Sequence, residues 1–113
     1  HRRKIGQYYN ENINHPSIIL PGKCEAYQHV YHVYAVRTDN RVSLQEYLSA
    51  HGIGTLIHYP IAPYDQAAYS GQFTGDFSIT SNIHNTILSL PISPIMSMGD
   101  AEMVVDAVNR WPG

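Results

Sequence analysis

The residues with the clearest chemical potential are a histidine and a tyrosine followed directly by a proline, His58-Tyr59-Pro60. An imidazole and a phenol hydroxyl both form hydrogen bonds, so they suit sugar hydroxyls and phosphate oxygens. Pro60 favours an extended backbone at Tyr59, which restricts where that side chain points. The residues alone leave two interpretations open: a ligand-binding pair at the end of a strand, or a pair that only bridges two domains.

Histidines and tyrosines also alternate in the string HVYHVY, which contains His29, Tyr31, His32 and Tyr34. In an extended strand, residues 29 and 31 share one face while 32 and 34 share the other. The two histidines then point in opposite directions, whereas a zinc site needs convergent ligands. We therefore expect packing under helices or at a domain interface, and no metal site.

For four other residues the sequence gives weaker support for a chemical role. Arg37 and Arg41 flank a turn, where a guanidinium can bind a carboxylate or phosphate through two hydrogen bonds, although an ordinary solvated role is favoured. His51 lies beside a predicted helix end, which indicates capping. Cys24 is the single cysteine, so it forms no disulfide within the chain, and no His-Asp partner can be inferred to activate it.

Composition excludes several classes of protein. The chain has 113 residues, of which 43% are hydrophobic and 14% charged, and its net charge is -2. That size fits one domain, and that charge argues against nucleic-acid binding. The chain has no apolar run of the roughly 20 residues that a membrane span needs. It shows no signal peptide and starts without methionine, so we expect a cytoplasmic location and a longer parent protein.

Hydrophobic periodicity predicts the elements of the first half. They are a helix near 2–13, a strand at about 29–37, a helix that starts at a Ser43–Glu46 capping box and ends at Gly52, and a strand at 54–59. In the second half we expect a helical turn at 63–70, a helix through Ile79, Ile83 and Ile87, and a short strand at most within 89–94. A final helix is capped by Ser97 and Asp100, and its predicted apolar stripe is Met103, Val104, Ala107, Val108 and Trp111. This order predicts an α/β fold with a small sheet covered by helices.

Five short motifs in this chain resemble, in order and spacing, those of the DegT/DnrJ/EryC1/StrS aminotransferase family. The motifs are the strand from His29 to Arg37, the helix from Arg41 to Ile53, the segment from Thr55 to Pro60, the Gln66–Tyr69 turn and the block ILSLPISP. The resemblance covers essentially the whole chain.

The resemblance implies the small C-terminal domain of the aspartate-aminotransferase fold (fold type I), occupying residues 1–113, with residues 1–13 ending an inter-domain helix. It further implies a missing large domain that carries pyridoxal 5'-phosphate and the catalytic lysine. Members are homodimers that transfer an amino group, usually from glutamate, to a keto sugar nucleotide. The wording GIGTLIHYP is similar to members acting on 3-keto dTDP-deoxyhexoses, whose products feed polysaccharide or natural-product biosynthesis.

For this chain, the resemblance implies that His58 and Tyr59 line the sugar-nucleotide pocket. It assigns no catalytic, cofactor-binding or metal-binding residue here, because the two lysines, Lys4 and Lys23, match no cofactor motif and neither is in a pocket that looks desolvated. We expect the chain alone to be inactive. The alternative is a free-standing, non-catalytic α/β module that binds a small metabolite or a partner protein.

Overall fold

The computed structural model describes residues 1–22 and 28–113, so Lys23 and Cys24 lie outside the described residues. Its helices are α1 (Arg2–Asn12), α2 (Arg41–Ala50), α3 (Ser78–Thr86) and α4 (Met98–Arg110), and its strands are β1 (Tyr34–Arg37) and β2 (Ile87–Leu90). Two 3-10 turns, Pro63–Asp65 and Ala67–Tyr69, occupy the stretch where a helical turn was predicted.

The two strands form a small antiparallel sheet in which Tyr34 lies opposite Leu90 and Arg37 opposite Ile87. A two-stranded sheet is marginal by itself and needs a packed face. Helix α1 packs on α4, while α2 contacts both α4 and β2. The described residues therefore confirm an α/β fold with a small sheet covered by helices.

Aromatic and aliphatic side chains fill the core between α1, the sheet and α4. Tyr9 and Tyr34 are fully buried, with ring centroids 4.9 Å apart in an edge-to-face arrangement. The aliphatic part includes residues with no exposed surface from five elements: Ile5, Val36, Leu44, Leu48, Leu88 and Val108. Each element thus buries one apolar face in a common core.

Helix α4 begins as its sequence predicts. The backbone N–H of Asp100 donates to Ser97 Oγ at 3.0 Å, and the N–H of Ser97 donates to an Asp100 carboxylate oxygen at 2.9 Å. These reciprocal bonds form a capping box. The predicted stripe is buried at Val104, Ala107, Val108 and Trp111, but Met103 is 62% exposed and does not belong to it.

The predicted strand at 29–37 is wrong in its first half, because β1 starts at Tyr34. Tyr31 has a φ of 47°, in the left-handed region, and its N–H donates to Nδ1 of His29 at 2.9 Å. This local turn replaces the extended backbone that alternation requires. The expected separation of faces is therefore wrong as well: Tyr31 and Tyr34 are both buried, with ring centroids 5.8 Å apart.

The capping box predicted for the second helix is also wrong, while its end is confirmed. Helix α2 begins three residues earlier, with Asn40 as its N-cap, and Ser43 Oγ instead accepts a hydrogen bond from Trp111 Nε1 at 3.4 Å. At the other end, Gly52 has a φ of 74° and His51 Nδ1 lies 2.8 Å from the Tyr47 carbonyl oxygen. The imidazole thus caps the helix end, as expected.

The strand predicted at 54–59 is reduced to a single bridge. Leu56 exchanges backbone hydrogen bonds with Ser89, at 3.2 and 2.7 Å. Helix α3 ends at Thr86, so the predicted helix does not include Ile87, because residues 87–90 form β2 in the sheet. Within the described residues, no helix combines the length and apolar character needed to cross a membrane.

Candidate functional site

A cleft of about 430 Å³ opens where β2 ends beside the 54–58 segment. Its polar lining residues are His32, His58, Ser89 and Ser93, and its other lining residues are apolar side chains and a glycine. Among the described residues, 1–22 and 28–113, no carboxylate, lysine or arginine lines this cleft. Such a surface offers neutral hydrogen-bonding groups beside apolar area, which suits an uncharged polar ligand or an anion better than a cation.

His58 is held in this cleft by the sheet. Its Nδ1 lies 2.9 Å from Ser89 Oγ, and the Ser89 side chain is buried in the centre of β2. The other ring nitrogen, Nε2, remains for a ligand. The structure therefore fixes the imidazole through one nitrogen.

Tyr59 lies next to His58 but is not among the residues that line the cleft. The two rings meet edge to face with centroids 5.6 Å apart, and the peptide bond between the two residues is cis. The Tyr59 side chain is 69% exposed, while its carbonyl oxygen lies 2.7 Å from Nδ1 of His84. The phenol is thus free to contact a molecule bound beside the cleft.

The two arginines tie the sheet and α2 to α3. Nε of Arg37 donates to Thr86 Oγ1 at 3.0 Å, and its terminal nitrogen donates to Asn82. Arg41 donates to the carbonyl oxygen of His84, and its Nε is buried without a partner among the described residues. Both guanidinium groups thus hold neighbouring elements together, while the anion-binding alternative considered from the sequence stays untested.

A cluster of buried tyrosines is hydrogen-bonded to the wall of the cleft through Tyr9. Tyr9 donates to the carbonyl oxygen of Pro91 at 2.7 Å, and Tyr34 donates to Asn10 Oδ1 at 2.7 Å. Asn10 in turn donates to the hydroxyl of Tyr31 at 3.0 Å. Burial raises the pKa of Tyr9 and of Tyr34 well above the ordinary value for a phenol. Both tyrosines therefore stay neutral, and Tyr9 anchors the backbone of Pro91, which lines the cleft.

The sequence indicated the His58-Tyr59 pair but missed three residues around it. His32 lines the same cleft, Ser89 binds His58, and His84 binds Tyr59. For Ser89 a signal existed, since one serine interrupts the apolar strand ILSL. His84 gave no signal, because its partner is 25 residues away in the chain.

Metal and cofactor chemistry can be tested on the side chains present. The described residues hold no group of three or more histidine, cysteine, aspartate or glutamate side chains that could bind a metal ion. Covalent attachment of pyridoxal phosphate needs a lysine in a desolvated pocket. The described part of the chain contributes none to the cleft lining, and Lys4 is exposed on α1. The cleft residues therefore do not fit that attachment.

Comparison with known proteins gives a family and close relatives. The model of the DegT/DnrJ/EryC1/StrS aminotransferase family matches residues 1–109. The chain is 47% identical, over 97% of its length, to an Aneurinibacillus thermoaerophilus protein named dTDP-3-amino-3,6-dideoxy-alpha-D-galactopyranose transaminase. It is 37% identical, over 85% of its length, to the dTDP-3-amino-3,4,6-trideoxy-alpha-D-glucose transaminase of Streptomyces venezuelae. It spans only 30% and 26% of these two relatives.

A solved structure matches equally well. The chain superposes on S. venezuelae DesV, solved in complex with a ketimine intermediate, with a TM-score of 0.89 and 34% identity. The match covers 97% of this chain and 30% of that one. The chain therefore has the fold of one part of a fold type I aminotransferase.

Proposed function

Because the chain belongs to the DegT/DnrJ/EryC1/StrS aminotransferase family, we propose that it is the small C-terminal domain of a longer sugar-nucleotide aminotransferase. Two facts support this: it matches relatives named as transaminases along most of its length, and it spans less than a third of each. The rest of the enzyme then supplies the large domain. Residues 1–13, most of which form α1, are the end of the helix that enters from it.

The proposed substrate is a dTDP-linked 3-keto deoxyhexose, with glutamate as the amino donor. The two relatives described above are both named for dTDP-linked 3-amino deoxy sugars, which supports amination at that position. Family members depend on pyridoxal phosphate, which supplies the chemistry that carries the amino group. Since the described residues that line this cleft include no lysine, we assign the cofactor to the large domain and expect the chain alone to be inactive.

The contribution of this chain is to bind and orient the sugar nucleotide. The observation that carries this proposal is His58, which Ser89 holds in a cleft whose described lining is neutral. Its free imidazole nitrogen meets a sugar or phosphate oxygen, and the exposed hydroxyl of Tyr59 meets a second.

A free-standing binding module is not favoured. A protein of that class has no reason to match transaminases over 97% of its length at 47% identity. On the strength of the family resemblance, we also propose a homodimer, a cytoplasmic location and a role in polysaccharide or natural-product biosynthesis. Sedimentation of the complete enzyme tests the first of these directly.

The decisive experiment is an amination assay of the complete enzyme with a panel of 3-keto and 4-keto sugar nucleotides. We expect turnover of a 3-keto dTDP-deoxyhexose. His58→Ala and Tyr59→Phe should raise KM for the sugar nucleotide, His58→Ala by roughly tenfold or more, because one ligand hydrogen bond is lost.

The matched control is Ile95→Ala, since Ile95 is 93% exposed and does not line the cleft. The half-reaction with glutamate should be unchanged in all three variants. Unaltered kinetics of His58→Ala with every sugar nucleotide that is turned over would contradict the assigned role.

A further inference from the structure

We propose that Ser89 and His84 are positioning residues that hold the His58-Tyr59 dipeptide from two sides, and that Ser89 makes His58 present a protonated Nε2 to the cleft. This inference refines the proposed function, and its relevance to substrate binding rests on that proposal. The protonation state itself can be measured without any substrate.

Ser89 is well placed to orient a ring because its backbone is fixed on both sides. It lies opposite Ala35 in the sheet and exchanges two backbone hydrogen bonds with Leu56 at the other edge. Its side chain belongs to a residue with only 5% of its surface exposed. With the backbone fixed, Oγ is limited to the staggered side-chain rotamers, and the one observed places it 2.9 Å from His58 Nδ1.

Burial decides the direction of the hydrogen bond between Ser89 Oγ and His58 Nδ1. If Nδ1 carried the proton, the hydroxyl would accept it, and the buried O–H of Ser89 would have no acceptor among its described neighbours. A buried donor without a partner costs more than an unused lone pair of an oxygen that already forms one bond. The hydroxyl therefore donates to Nδ1, and in the neutral ring the proton resides on Nε2.

His84 holds the other half of the dipeptide. A carbonyl oxygen only accepts hydrogen bonds, so Nδ1 of His84 carries a proton and donates it to the Tyr59 carbonyl at 2.7 Å. His84 lies in the last turn of α3, and its own carbonyl oxygen accepts a hydrogen bond from Arg41. The imidazole thus extends from a helix end that α2 secures.

Both positioning residues belong to one continuous segment. Helix α3 ends at Thr86 and β2 starts at the next residue, so His84 and Ser89 lie on either side of this junction. Arg37 fixes the junction through Thr86, with Nε donating at 3.0 Å. The segment acts as a rigid support, and the 54–60 segment takes its side-chain geometry from it.

The chemical consequence is a donor that faces the cleft. A protonated Nε2 binds an acceptor oxygen, such as a sugar carbonyl, a hydroxyl oxygen or a phosphate oxygen. It does not bind an ammonium group. When the oxygen that it contacts is the keto oxygen, this donor favours the keto sugar over its ammonium product.

The first test is nuclear magnetic resonance of the protein labelled with 15N at histidine. We expect the His58 Nδ1 of the neutral ring to resonate as an unprotonated nitrogen and Nε2 as a protonated one. Ser89→Ala should produce a mixture of both tautomers, and Ser89→Thr, which keeps the hydroxyl, should restore the single form. The control is Ser93→Ala, because Ser93 lines the same cleft but accepts from the backbone N–H groups of Ile95 and Met96.

The second test is steady-state kinetics of the complete enzyme. Ser89→Ala and His84→Ala should raise KM for the sugar nucleotide about tenfold while kcat changes less, and His84→Asn should recover part of the loss, because its amide can still donate to Tyr59. Both alanine variants should unfold at temperatures close to that of the unaltered protein.

The outcomes separate the two proposals. A protonated Nδ1 at His58 in the unaltered protein overturns the role of Ser89, whether or not any variant folds. A KM in Ser89→Ala and His84→Ala equal to that of the unaltered enzyme overturns positioning. If the tautomer is as expected but His58→Ala leaves the KM unchanged, the proposed function fails while the orientation by Ser89 stands.

Discussion

The core region (α1, β1, β2 and α4) and the site segment (residues 54–77) are held in place by different forces. The core region buries fully covered side chains such as Tyr9, Tyr34 and Leu88. Within the site segment, the buried hydrophobic residue is Ala62, and several large side chains are exposed: Leu56, Tyr59, Ile61, Tyr69 and Phe73. One region is stabilised by burial, and the other takes its conformation from hydrogen bonds to its neighbours.

The difference teaches where function and stability can be separated. Removing apolar volume from the core region should lower the free energy of unfolding of the whole chain. Removing a hydrogen-bond partner of the site segment should change the geometry of His58 and Tyr59 with a smaller cost to stability. The following substitutions test this contrast, from the largest expected effect to the smallest.

Leu88→Ala should destabilise the chain by about 2–5 kcal/mol, because it leaves a cavity at a side chain with no exposed surface. Its counterpart in the site segment is Leu56→Ala, where 64% of the residue is exposed and we expect a change within about 0.5 kcal/mol. Urea unfolding followed by circular dichroism measures both. Equal losses for the two leucines would remove the contrast between the regions.

Gly6→Ala should destabilise by about 1–3 kcal/mol, although alanine is the better helix former. A Cβ at Gly6 would stand 2.7 Å from two ring carbons of Tyr31, which is buried above α1. The control is Gly99→Ala in α4, where the nearest atom is Ser97 Oγ at 3.7 Å and stability should stay constant or rise. Thermal unfolding of the two variants measures this difference. If Gly6→Ala were more stable than the unaltered chain, Tyr31 would have to move aside without cost.

Tyr9→Phe should cost about 1 kcal/mol, since the carbonyl oxygen of Pro91 loses its donor at 2.7 Å. The variant also has a signature in alkaline solution. Burial raises the pKa of Tyr9 and Tyr34, so above about pH 10 the unfolded chain loses protons that the folded chain retains, and stability falls as the pH rises. The free energy of unfolding should be measured from about pH 8 to about pH 11, a range around the ordinary phenol pKa. It should decline less steeply in Tyr9→Phe than in the unaltered chain. An identical decline would assign the effect to other groups.

Ser97→Ala should have the smallest effect of the series on the core region, about 0.5–1 kcal/mol, because it removes the cap at an exposed end of α4. Hydrogen bonds from the Ser97 side chain and backbone lower the pKa of Asp100. The resulting stabilisation is present above the ordinary carboxyl pKa of about 4 and is lost as the pH falls through the lower pKa of the folded state. The free energy of unfolding of Asp100→Asn should therefore decline less steeply than that of the unaltered chain below about pH 4. An equally steep decline would contradict this.

Local signals in the sequence were read correctly where the partners are close in the chain. The capping box of α4 joins residues three apart, and the end of α2 at Gly52 depends on the turn before it. The motif order likewise pointed to the family whose model matches residues 1–109. The contact between His58 and Tyr59 follows from adjacency alone, whereas their role in binding a substrate stays a prediction.

Other features were decided by contacts between residues far apart in the chain. The pairing of β1 with β2 joins segments that are about fifty residues apart, and it gives residues 87–90 to the sheet instead of α3. The strand expected at 54–59 is limited to Leu56 because only that residue exchanges backbone hydrogen bonds with β2 in the described structure. Residue propensities carry no information about these pairings, because tertiary packing sets the partners in a sheet.

The sequence by itself determined the family, the helices with local caps and the identity of the His-Tyr pair. Only the tertiary structure decided what holds that pair. It brought Ser89 to His58 across 31 residues and His84 to Tyr59 across 25. The physical reason is that a helix forms bonds within one turn, whereas the direction of a side chain at a site depends on whichever buried donor the fold brings beside it.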